Sequence, residues 1–208
     1  KGCLVVLYKF LCSDNELGLV SSAVLIKDST LIESYGHIVN KYKIIECDKG
    51  RDIDKVLPKY KFTDLVAGGF YMAKREFYEK VGLQDEKLFM YGDELDTAIR
   101  AEKAGYKQGV TCEVYGWHWH INEPNRETRK PASNYLIARN RVYVVRKYYG
   151  IGSVILTFCH FSIKLPIRLL VAGIVKMEKG RIERAMYYFL GGINGLIGNM
   201  KPNKYTIF

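Results

Sequence analysis

The sequence predicts a mixed α/β fold over residues 1–150, followed by a basic, apolar helical tail over residues 151–208. Three observations predict it. The run ELGLVSSAVLI (16–26) is nearly continuous in Val, Ala and Leu, the pattern of a strand covered on both faces. The segment LIESYGHIVNKYKIIE (31–46) alternates apolar and polar residues, as short strands do. From Pro131 onward the spacing is helical, through ASNYLIARNRVYVVRKYYG, IGSVILTFCHFSIKLPIRLLVAGIVK and RIERAMYYFLGGINGLIGNM.

Taken in order, residues 3–12 read as a helix that feeds the strand at 16–26. Residues 31–46 read as short strands or a hairpin around Gly36, and residues 47–61 as a charged loop. In DLVAGGFYMAKREFYEKVG (64–82) a strand breaks at Gly68-Gly69, resumes, and passes into a helix from Arg75. Paired glycines there mark either a tight bend or a close approach of the backbone to something else. The stretch FMYGDELDTAIRAEKAGY (89–106) is the next helix: Leu95, Ala98 and Ile99 share a face, Asp96 can pair with Arg100, and Gly105 is a stop. Its first turn carries Asp93, Glu94 and Asp96, which fit a helix start, where unpaired amides favour negative charge, or the working end of an enzyme. GVTCEVYGWHWHINEPNRE (109–127) reads as a strand running into a polar loop. Its alternation puts His118 and His120 on one face and Trp117 and Trp119 on the other, so the histidines are either hydrogen-bonded core or a ligand pair.

With 208 residues and 48% hydrophobic content, the chain can bury a sizeable core and is no disordered polymer. The net charge of +10 calls for an anionic partner: nucleic acid, phospholipid head groups or a sugar diphosphate. Nucleic acid is set aside, because the basic residues form no aromatic-laced groove and many fall in the C-terminal third, beside apolar helices. Five scattered cysteines without CxxC spacing indicate neither a disulfide framework nor a zinc site, and point to a reducing cytoplasm. No signal-peptide pattern is visible, and the start at Lys1 reads as the continuation of something longer. In the segment 151–176 the longest uncharged run, Ile151 to Ile163, has 13 residues. That falls short of the ~20 needed to cross a bilayer, and Lys164, Pro166 and Arg168 interrupt it. The expectation is therefore a pair of helices lying in an anionic membrane interface, with Lys164, Arg168, Lys176, Lys179, Arg181 and Arg184 reaching head groups. Packing on the domain or on a second subunit, as a homo-oligomer, is the alternative.

In order and spacing, GGFYMAKREFYEKVGLQDEKLFMYGDELDTAIRAEKAGY, VYGWHWH and YLIARNRVYVVRKYYG resemble the second half of bacterial family-2 glycosyltransferases, especially the rhamnosyltransferase-like branch with the GT-A fold. The resemblance covers about residues 10–150, and RAMYYFLGGINGLIG also looks like that branch's tail. It implies a GT-A-like mixed sheet portion, the acceptor half of the enzyme, with C-terminal amphipathic helices. It implies inverting transfer of a sugar from a UDP- or dTDP-sugar to a lipid-linked or polysaccharide acceptor, assisted by Mg²⁺ or Mn²⁺, on the inner face of the plasma membrane.

Carried over by position, Gly68 and Gly69 match the acceptor-side strand, Asp85 an acidic position before the acceptor loop, and Asp93-Glu94 the acidic pair that supplies the base. Here the acids stand in the reverse of the commoner Glu-Asp order. Glu94 holds the base position, with Asp93 as the other candidate. His118 matches a metal-site histidine, with His120 second, and Arg139-Asn140 resemble a YxxARN element at the diphosphate's edge. The family's nucleotide pocket and Asp-x-Asp would precede residue 1. Asp52-Ile53-Asp54 has the spelling but lies downstream in a charged loop, so this chain alone is expected to be inactive. A non-catalytic, membrane-associated scaffold or degenerate subunit is the alternative.

Overall fold

The computed structural model describes residues 2–40, 43–56, 58–118 and 131–201, and has a mixed α/β fold. The chain divides into two units: Lys1–Gln84 with Glu94–Ile121, and Asp85–Asp93 with Asn122–Phe208.

In the first unit, helix α1 (Cys3–Cys12) buries Leu7, Phe10 and Leu11 against the base of strand β1 (Leu17–Ile26), where Leu17 and Val20 complete a cluster. β1 is the organising strand. On one side it pairs in parallel with β7 (Lys107–His118); on the other it serves two short antiparallel partners, β6 (Tyr71–Ala73) against Leu19–Ser21 and β2 (Ile32–Ser34) against Val24 and Leu25. Flanked on both edges, β1 is buried nearly throughout, which is why its sequence shows no alternation. The β1–β7 register jumps between Ser22, opposite Thr111, and Ala23, opposite Tyr115, so residues 112–114 bulge and His118 ends up beside Ile26.

The segment expected to be a charged loop contains more. A 3₁₀ turn covers Ile53–Lys55, and β5 (Tyr60–Thr63) adds an antiparallel edge to β7. Tyr60 and Phe62 face solvent on this edge strand, so its apolar residues do not read as a buried face. Gly36, at φ 74°, is the joint between β2 and β3 (His37–Asn40) rather than the centre of a hairpin; the hairpin is β3 with β4 (Lys43–Glu46). The strand expected before Gly68 is reduced to a bridge between Leu65 and His37. Side-chain bonds take the place of a ladder there: the buried Gln108 amide donates to Asp64 O (3.0 Å) and accepts from Val66 N–H (3.2 Å). Helix α2 (Arg75–Val81) begins where the sequence places it, and α3 spans Asp93–Lys103.

The second unit is helical. α4 (Pro131–Tyr148) packs against α7 (Lys179–Ile197) with almost no side chain between them: a Cβ on Gly191 would stand 2.2 Å from Tyr135 O, and one on Gly195 2.2 Å from Arg139 O. Four-residue spacing of small residues lets the two backbones meet. The composition change at Gly150 is thus not where compactness divides the chain, since α4 belongs with the helices that follow it. Between them, α5 (Ile151–Phe158), a π-helical turn (Cys159–Lys164) and α6 (Leu165–Val175) run as one 25-residue helix. Pro166 would clash with the carbonyl four residues back in an α-helix; the widened turn, in which Leu165 N–H reaches His160 O, lets the helix continue through it. By length and composition this helix is sufficient to cross a membrane, which the 13-residue uncharged run did not suggest.

Candidate active site

Within the first unit, the structure brings together two of the residues singled out in the sequence. The stretch Asp64–Val66 is tied down by Gln108, and the chain then turns in the open at Gly68-Gly69 before entering β6. Glu94, half-buried in the first turn of α3, lays its carboxyl across Gly68: Oε1 is 2.6 Å from where a Cβ on that residue would lie. The glycine is therefore a seat for the acid, a close approach rather than a bend alone. Gly69 faces open space, with nothing within 4 Å of its virtual Cβ. Amides of the first helical turn add a local preference for negative charge beside Glu94.

Asp96, two residues on, has a different place. It is fully buried and accepts a hydrogen bond from Arg100 Nε (2.8 Å), the pairing the spacing predicts. The same guanidinium donates to Val81 O, Gly82 O (3.0 Å) and Leu83 O (3.0 Å), catching the carbonyls that α2 leaves at its end. Asp96 and Arg100 thus fasten α3 to α2. Arg100 was recognisable in the sequence as Asp96's partner, but its hold on the end of α2 had no sequence signal.

His118 ends the described part of β7 and lies 3.2 Å from Glu33 Oε2 through its Nδ1. Glu33, on β2, has no sequence signal, since a lone acid in IES carries no spacing. His120 lies outside the described residues. Among those described, no three His, Cys, Asp or Glu side chains are grouped to hold a metal ion. His118 and Glu33 put two donors side by side; Mg²⁺ commonly takes one or two protein ligands and fills the rest of its octahedron with water and substrate phosphate.

In the second unit, Asp85, Arg139 and Asn140 are engaged with protein. Asp85 accepts from Lys147 Nζ (3.0 Å), Tyr143 OH (3.4 Å) and Lys87 N–H (3.1 Å). Burial alone would raise its titration; the Lys147 ammonium and the Lys87 amide overcome that and hold the carboxyl below its ordinary range. Asn140 is fully buried, and its Nδ2 reaches Leu88 O (2.7 Å), Met90 O (2.8 Å) and Tyr91 O (2.7 Å). Arg139, 1% exposed, donates to Asn140 Oδ1 (2.8 Å) and Lys87 O (3.4 Å) and lies over the Tyr135 ring. Burial lowers its pKa, partly offset by Tyr135.

These contacts hold the segment 87–92 in shape: the buried Arg139 guanidinium and Asn140 amide are engaged with each other and with that segment's carbonyls. That segment needs holding, since Phe89 (φ 52°), Tyr91 (φ 65°) and Gly92 (φ 94°) are all left-handed, at a cost of order 1–3 kcal/mol for each non-glycine residue. It runs directly into Asp93, the first residue of α3, which is half-buried. No protein-family model matches the chain and no curated protein matches it, so the functional reading rests on the residues themselves.

Proposed function

We propose that the chain is the acceptor-side part of an inverting glycosyltransferase that moves a sugar from a UDP- or dTDP-sugar to a hydroxyl of a lipid-linked or polysaccharide acceptor. The observation that carries this reading is the seating of Glu94 on Gly68: a half-buried carboxyl at a helix start, lying across a solvent-facing turn that has no side chain in the way. Such an acid can meet an incoming hydroxyl from the open side. Glu94 accepts the hydroxyl proton, the oxygen bonds to the anomeric carbon, and the bond to the diphosphate breaks with its electron pair, leaving inverted configuration. Asp93, the other candidate base, supports the reading less because no cradle is seen for it.

A divalent cation in such a reaction offsets charge on the departing diphosphate. His118, beside Glu33, is the described residue closest in kind to a ligand. The experiment is Glu94→Gln in the natural gene product, reading release of UDP or dTDP with a panel of donors and envelope-glycan acceptors. Turnover should drop ~10²-fold or more with folding unchanged, while Asp93→Asn retains most of it. Wild-type turnover in the Glu94 variant overturns the assignment, and no release from any donor in the wild type favours the scaffold reading.

A further inference from the structure

The charge of the chain sits almost wholly at one end. Residues 1–130 hold twenty Lys and Arg against twenty Asp and Glu, whereas residues 131–208 hold twelve against two. In the second unit this excess accompanies an exposed apolar face. The helix Ile151–Val175 turns Val154, Thr157, Ser162, Pro166 and Gly173 inward. It leaves Ile155, Leu156, Ile167, Val171, Ile174 and Val175 between 52% and 77% exposed. Met177, in the turn to α7, is 89% exposed. Full burial of one branched aliphatic side chain is worth about 1.5–3 kcal/mol, so a contiguous row of them marks a surface built to be covered.

Length alone would allow this helix to cross a bilayer: 25 residues span roughly 37 Å, against a hydrocarbon core of about 30 Å. Its charges disfavour that arrangement. Lys164 is one position past the midpoint, Ile163, and Arg168 lies just over a turn further; both are on the exposed side. Spanning would bury each near the bilayer centre at about 2.5–3.5 kcal/mol apiece. Lying flat, the same side chains extend their methylenes along the apolar stripe and their charges into the head groups.

We propose that the exposed face of helix Ile151–Val175 lies in the plane of an anionic phospholipid bilayer, with Lys164 and Arg168 meeting lipid phosphates. The natural protein is floated with vesicles of phosphatidylglycerol and phosphatidylethanolamine, and separately with phosphatidylcholine vesicles. Binding is expected to the first and not the second, and to fall steeply toward 1 M salt, where screening acts within about 3 Å. Lys164→Ser with Arg168→Ser should weaken it about 30-fold. Ile155→Ser with Val171→Ser should abolish it with circular dichroism unchanged, since both side chains are exposed in the fold. Bound protein should be released by alkaline carbonate.

Equal binding to phosphatidylcholine, or no binding to either vesicle, overturns the proposal. Retention after carbonate overturns the in-plane geometry in favour of a span. A vesicle-free dimer that Ile155→Ser with Val171→Ser dissociates assigns the face to a second copy instead. None of these readouts involves sugar transfer, so this failure and that of the glycosyl-transfer reading are separable.

Discussion

Gly68 in the first unit and Gly191 with Gly195 in the second do the same geometric thing, which is to remove a Cβ where another group must come close, but they make room for different neighbours. At Gly68 the neighbour is the far end of a flexible side chain, the Glu94 carboxyl. At Gly191 and Gly195 it is the main chain of α4, at Tyr135 O and Arg139 O. A carboxyl can swing aside by changing rotamer; a helix backbone cannot yield without moving the whole helix. The first glycine therefore governs where an acid points, and the second pair governs whether the unit packs at all.

The sharpest way to break this comparison is Gly195→Ala. The added methyl meets the Arg139 carbonyl and should destabilise the second unit by about 3 kcal/mol, the upper end for overpacking, read as a fall in Tm or denaturation midpoint. A loss below ~0.5 kcal/mol would mean that the α4–α7 contact adjusts freely. Asp96→Asn comes next. The sequence alone suggested a lost helix-start charge worth at most ~1 kcal/mol. With Asp96 fully buried against Arg100, about 2–3 kcal/mol should be lost in chemical denaturation, because the guanidinium keeps its burial and loses its counter-charge.

Gly68→Ala tests the other arm of the comparison. Stability should change by less than ~1 kcal/mol, since a carboxyl on a rotatable stem gives way. If Glu94 is the proposed base, turnover should drop ~10-fold because a displacement near 1 Å misaligns the proton acceptor. Unchanged turnover with lowered Tm would make Gly68 a packing residue and remove the parallel with catalysis.

The smallest effect concerns Asp85. Its folded-state titration lies below the ordinary carboxylate range, so it contributes stability above an unfolded value of about 3.9, and that contribution is lost as pH falls through the folded value. Lys147→Met should therefore be less stable than wild type at neutral pH by up to ~1 kcal/mol, with the gap closing below pH ~4. A gap independent of pH would assign the loss to packing of the lysine stem.

Several element boundaries were determined by the sequence itself. Helix α1, strand β1, the start of α2 at Arg75 and the stop after α3 at Gly105 follow from apolar period and from glycine, which act over a few residues. The Asp96–Arg100 pair was legible for the same reason, being one helical turn apart. What the tertiary structure alone decided was which polar groups are spoken for. Nothing within the sequence neighbourhood of Arg139-Asn140 says that their partners are the carbonyls at 87–91, some fifty positions away, or that Glu33 stands beside His118. Likewise β5 is a strand because β7 offers it an edge, and at Asp64–Val66 the Gln108 side chain stands in for a ladder. Local pattern reports what a segment can bury; which donor meets which acceptor is settled by contacts between segments distant in sequence, and those exist only once the chain has folded.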